Sequence, residues 1–230
     1  MNWSIILGII SIVSFIIPVT IIIAYRFYNH RSLAALMVYY IMEALYYMMF
    51  EHLLPVTTNF QAGFGILDNY LDAPLMMTSL LFFCPNKQKQ RKVYILTALF
   101  ISYELIITFI YGFKPVSVTY ILGPGLGIIL IYSCFLFARQ VKFTIVHGKN
   151  TGRTLMLASI LFVYACYSFI YILYYVQKTN FVRDTYIIYF ISSIVSSSLM
   201  CVGLIMAKKR LKELDDLRIT RKELKLFFNT

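Results

Sequence analysis

Charge is scarce in this chain. Only 13% of its 230 residues are charged, 60% are hydrophobic, and the mean hydropathy is +0.75. That excludes a soluble globular domain, which could not hide so much apolar surface. Cysteine is scarce too: Cys84, Cys134, Cys166 and Cys201 all lie within or at the ends of apolar runs. No disulfide is expected among them, and no pair has zinc-finger spacing. The three histidines, His30, His52 and His147, sit in separate connections or at run ends, so they form no multi-histidine metal cluster. Internal repeats, low-complexity linkers and a Walker-type phosphate loop are also absent. Above all, no Lys or Arg falls inside any long apolar run.

What is present is seven such runs, at residues 5–24, 33–53, 65–84, 93–111, 118–138, 155–176 and 186–206. A bilayer core about 30 Å thick needs about 20 apolar residues per helix. Every backbone polar group in lipid must be satisfied within the segment, so each run is read as a helix. The expected fold is an all-α membrane protein, a seven-transmembrane-helix bundle over residues 1–206, followed by a basic tail over 207–230.

Orientation follows from the basic residues. All Lys and Arg except Lys114, Lys178 and Arg183 fall in alternate connections on one side or in the tail. By the positive-inside rule that side is cytoplasmic, with the N-terminus outside. The first run lacks a charged leader and a small-residue cleavage site, so it reads as a retained span. The net charge of +11 is then a membrane signature that calls for no nucleic-acid partner. The expected setting is the bacterial plasma membrane, with the lipid bilayer and either another membrane protein or a second copy of the chain as partners.

Carboxylates inside spans are costly and are functional candidates by default. Here they are Glu43, Asp68, Asp72 and Glu104, with Glu51 and His52 closing the outer end of the second span. Asp68 and Asp72 are four apart and share a helix face. Two readings stand for them: a proton- or cation-binding mouth, joined by Glu51 and His52, or a hydrated outer vestibule. Glu43 lies among Tyr39, Tyr40, Tyr46 and Tyr47, and an interior hydrogen bond to a tyrosine is expected for it. Tyr164, Tyr167, Tyr171 and Tyr174 stripe one face of the sixth span, while Ser192, Ser193, Ser196 and Ser197 give the seventh a small polar face. Packing alone accounts for both patterns; so does a ligand cavity for the tyrosines. Gly123-Pro124-Gly125 marks a kink or a close helix crossing.

Seven spans with the N-terminus outside, in about this length, is also the format of the microbial rhodopsins. Asp68-Asn-Tyr-Leu-Asp72-Ala-Pro74-Leu75 resembles their third-helix pattern of Asp, Thr and Pro-Leu, with Asp72 in place of the threonine. Tyr164-Ala-Cys-Tyr167-Ser168-Phe-Ile-Tyr171 resembles the Trp-x-x-Tyr-Pro-x-x-Trp stretch that walls their retinal. Gly203-Leu204-Ile205 resembles the end of their seventh helix and sets Val195 on its aspartate and Leu199 on its Schiff-base lysine. The resemblance implies Asp68 at the primary counterion, Gly65 at the third-helix arginine and Ser79 at the cytoplasmic proton donor. Leucine forms no imine, so it implies a member without covalent retinal and without a cofactor.

The function expected from these residues is non-enzymatic: a sensor, or a helper subunit of another membrane protein. Glu43, Asp68, Asp72, Glu104, Tyr164, Tyr167 and Tyr171 would form a proton, cation or ligand site. The alternatives are a small transporter or channel relaying protons or cations through the same carboxylates, and an intramembrane enzyme with one outer metal site at Glu51, His52, Asp68 and Asp72. In the tail, Leu211, Leu214, Leu217, Leu224 and Phe227 or Phe228 recur at helical spacing. An amphipathic helix is expected there, lying on anionic lipid or docking a partner.

Overall fold

The structure, a computed structural model, describes residues 3–84, 86–148, 150–173 and 187–209. Tyr174, Lys178, Arg183 and the tail beyond Lys209 lie outside them. All the regular structure within these residues is helical. The long helices are α1 (Trp3–Ala24), α2 (Arg31–Phe50), α3 (Thr58–Leu80), α4 (Lys87–Tyr111), α5 (Pro115–His147), α6 (Thr151–Tyr171) and α7 (Ile187–Lys209). Short 3-10 turns at Phe27–Asn29 and Leu81–Phe83 follow α1 and α3.

Six of these helices, all except α3, are long and apolar enough to cross a membrane. Their surfaces agree: Phe109 is 93% exposed, Ile145 77% and Ile131 73%. Side chains of that kind, left out in numbers, call for hydrocarbon around them. The chain is accordingly an integral membrane protein. α3 falls short because Gln61, Asp68, Asn69 and Asp72 interrupt it.

Helix ends depart from the hydropathy expectation. The third helix begins at Thr58, seven residues before Gly65, because the Thr57 hydroxyl caps it by accepting from the Phe60 amide at 3.4 Å. A capping threonine satisfies one of the orphan N–H groups of a first turn. Asp68 therefore lies nearly three turns inside its helix and not at its mouth. α5 likewise extends past the expected 118–138 to 33 residues, about 50 Å at 1.5 Å per residue. It runs unbroken through Pro124.

Consecutive helices from α1 to α6 pack against each other, and α3 touches α5 as well as α2 and α4. The seventh helix closes the bundle. It meets α6 where Ser159 and Ser196 hydrogen-bond (Oγ to Oγ 2.9 Å) and where Gly152 faces Gly203. It meets α2 through Tyr189 and Phe190 against Tyr47. Near the end of α1, the Lys208 ammonium of α7 lies 3.6 Å from the centre of the Tyr25 ring. The core runs down the middle of this ring of helices, with Ile22, Leu80, Ile129, Met156 and Tyr164 fully buried.

Candidate functional site

Residues 39, 43 and 47 are each four apart, so Tyr39, Glu43 and Tyr47 stack on one face of α2. All three are buried, at 4%, 4% and 3% exposed. The same spacing sets Asp68 and Asp72 on one face of α3. These two faces, with α5, α6 and α7, enclose a partly open cavity of about 230 Å³. Glu43, Asp68 and Asp72 supply its acidic groups. Tyr47, Tyr167, Tyr171 and Tyr189 wall it with rings, and Leu122 and Leu126 of α5 complete an apolar side. Most of the lining residues belong to the half of the bundle that carries the α2–α3 and α4–α5 connections, with Asp72 near the bundle's middle.

The rings are ordered by one another. Tyr189 stacks on Tyr167 with centroids 4.6 Å apart and planes 10° apart, and on Tyr47 at 5.6 Å and 16°. Three tyrosines from three helices thus form one parallel stack, a tight arrangement of large apolar area. Their hydroxyls serve different partners. Tyr189 Oη donates to Glu43 Oε2 at 3.5 Å, a long bond, and Tyr167 Oη lies 3.2 Å from Ser193 Oγ. Tyr171 Oη donates to the Thr119 carbonyl at 3.0 Å. The close approach of Tyr171 depends on Gly123, where an added Cβ would lie 2.6 Å from its hydroxyl. Tyr47 Oη, although buried, has no hydrogen-bond partner among the described residues.

Above this level, at the same end of the bundle, Thr108 Oγ1, Tyr70 Oη and Ser117 Oγ form a chain with successive distances of 2.8 and 2.9 Å. It ties α4, α3 and α5 together.

The expected site residues do not all converge. Glu43, Asp68, Asp72, Tyr167 and Tyr171 line the cavity. Tyr164 lies behind its wall, fully buried, and donates its hydroxyl hydrogen bond to Asp72 Oδ1. Glu104 is excluded: it is 6% exposed, outside the lining, with Oε1 unpartnered among the described residues. Glu43 has its tyrosine partners, Tyr39 on its own helix and Tyr189 on α7. Glu51 lies against Gly8 of α1, where an added Cβ would run into its carboxyl, and His52 is exposed. Neither joins the acids of the cavity, and among the described residues no three His, Cys, Asp or Glu side chains converge as metal ligands. Val195 is 39% exposed, and half-buried Leu199 does not line the cavity. The buried positions of α7 include instead Phe190, Ser192, Ser193, Ser196, Ser197, Met200 and Leu204. None of them is a lysine, so the want of an amine holds in either register.

Tyr189 and Phe190 are among the lining residues that escaped the sequence reading. A signal existed: Tyr189 stands four residues before Ser193, on the same α7 face as the serines. Asn69 also lines the cavity, its amide donating to the Gly65 carbonyl at 2.6 Å.

What can such a site do? It has three carboxylates, several phenols, one amide and no cationic lining residue, so it offers hydrogen-bond acceptors, hydroxyl and amide donors, and ring faces. Comparison with protein-family models, with curated proteins and with solved structures gives no match to this chain.

Proposed function

We propose that this chain is a seven-span membrane sensor that holds a ligand without a covalent bond and passes its occupancy to a partner membrane protein. The observation that carries this reading is the cavity between α2, α3, α5, α6 and α7, where Glu43, Asp68 and Asp72 face stacked tyrosines. In this reading α3 is the seventh span. Its polar residues turn to the cavity and to neighbouring helices, so hydropathy alone undervalues it. The cavity half is external and the Lys- and Arg-rich connections cytoplasmic, as the positive-inside rule requires. The setting is a bacterial plasma membrane.

The relation to microbial rhodopsins is part of the proposal. A seven-helix bundle with a ligand cavity between its third, sixth and seventh helices fits a chain that keeps the architecture and has lost the lysine. Without a cationic Schiff base, the counterion positions are free for another use, since fold does not fix function.

The test is flux. Purified protein in proteoliposomes is expected to leave proton and cation permeability at the level of empty liposomes. A proton or cation current that Asp72→Asn abolishes would replace the sensor with a transporter.

A further inference from the structure

Three carboxylates share this cavity, and its lining contains no Lys, Arg or His. Away from water, an ionised carboxylate is expensive unless something positive faces it. Protein side chains do not provide that here. Asp68 has no hydrogen-bond or ion-pair partner among the described residues, and Glu43 has only neutral phenols beside it, Tyr189 at 3.5 Å and Tyr39. A second observation is independent of the acids. Tyr47, 3% exposed, borders the same space with its hydroxyl unpaired among the described residues, and a buried polar group without a partner is rare enough to need an explanation.

The identity of the charge carrier can be narrowed by geometry. A proton needs no room, whereas the cavity measures about 230 Å³, larger than the roughly 150 Å³ apolar cavity that accommodates benzene. A hard metal ion needs six or more oxygens drawn to within about 2.6 Å of one point. Here the acids sit on two helices around a wide space, and no metal-ligating group of three converges among the described residues. Aromatic rings cannot substitute for such oxygens. They do suit an organic cation, whose diffuse charge is attracted to ring faces while its hydrocarbon body is desolvated.

We infer that the ligand is a small organic ammonium ion, with its charged head among Glu43, Asp68 and Asp72 and an apolar body of benzene size or larger against the tyrosine stack and Leu122 and Leu126. This deepens the sensor reading and rests on it. The site then takes a free amine non-covalently, where a lysine-bearing bundle would carry its cation on the chain.

The test is calorimetric titration of the full chain in lipid nanodiscs with phenethylammonium and benzyltrimethylammonium, against the neutral isostere 2-phenylethanol and against sodium and calcium chlorides. Saturable binding of at least one of the two ammonium ions is expected, with 2-phenylethanol at least about thirtyfold weaker, since losing the charge leaves buried carboxylates uncompensated. Asp68→Asn and Glu43→Gln should each weaken the ammonium ion by about tenfold or more, while Glu104→Gln, outside the cavity, leaves its affinity unchanged. The wild-type comparison of charged and neutral probes stands even if a variant fails to fold. Equal binding of 2-phenylethanol would overturn the ammonium assignment and leave the sensor reading intact. Binding of sodium or calcium alone, or of none of the probes, would overturn the assignment too. The flux assay decides the sensor reading separately.

Discussion

Tyr164 of α6 and Asp72 of α3 are joined by a hydrogen bond across the middle of the bundle, phenol donating to carboxylate. It couples the cavity's acid wall to the most deeply buried aromatic side chain. Hydrogen bonds to charged groups contribute about 1.5–3 kcal/mol. Tyr164→Phe should therefore lower unfolding stability by about 2 kcal/mol, read as a shift in the denaturant midpoint of detergent-solubilised protein. Asp72→Asn keeps an acceptor for the phenol and should cost less than Asp72→Leu, which strands the hydroxyl. Equal losses for Asn and Leu would show that the bond contributes nothing.

Gly152 and Gly203 set the second prediction. A Cβ on Gly152 would lie 2.6 Å from the Ala207 amide nitrogen and 2.7 Å from the Gly203 carbonyl oxygen. Both are backbone atoms and cannot swing aside. In membranes, where lipid competes equally for apolar contact, such close backbone approach is a main source of helix association. Gly152→Ala should destabilise by about 1–3 kcal/mol. Gly127→Ala, where nothing lies within 4 Å, should be neutral or slightly stabilising through helix propensity. The pair, measured side by side by thermal unfolding, separates crossing from composition.

How much of this was visible in the sequence depends on the kind of information. The helices were legible from length and hydropathy, because lipid demands about 20 apolar residues per crossing. The ends were not: α3 starts at a threonine cap that hydropathy does not weigh. Pairs on one helix, such as Asp68 with Asp72, were legible because the helical period fixes them. Pairs across helices were not. Tyr164 with Asp72 and Tyr189 with Glu43 depend on which way each helix is turned. When both the lipid face and the packed face are apolar, the periodic signal that reveals rotation in a soluble helix is largely missing. The same weakness explains α7, where the family resemblance picked out Val195 and Leu199 although the serines at 193 and 196 occupy the inner face.

Glu104 gives a third prediction, opposite in sign to the first. It is buried on α4 outside the cavity, and its Oε1 has no hydrogen-bond partner among the described residues. A buried polar group left unsatisfied costs about 1–3 kcal/mol, and an apolar replacement of similar volume removes that cost. Glu104→Met should raise the thermal midpoint, by the equivalent of about 1 kcal/mol. A loss of stability, or a gain of flux in Glu104→Gln proteoliposomes, would mean that this carboxyl works with the cavity after all.

The last prediction concerns orientation, on which the external placement of the cavity depends. Val56 lies exposed in the α2–α3 connection and Gln88 lies exposed in the first turn of α4, at the opposite end of the bundle. The four native cysteines would first be replaced by serine or alanine; Cys84, whose thiol lies 3.3 Å from the Tyr132 hydroxyl, calls for serine. Val56→Cys and Gln88→Cys are then labelled in intact cells with a membrane-impermeant maleimide. Val56→Cys should react at once and Gln88→Cys only after permeabilisation. Lys87, Lys89, Arg91 and Lys92 surround the second position, and basic residues are retained on the cytoplasmic side during insertion. The reverse pattern would turn the bundle over and open the acid-lined cavity to the cytoplasm. Labelling of both positions from outside would mean that α3 does not cross, leaving the six helices that hydropathy alone supports.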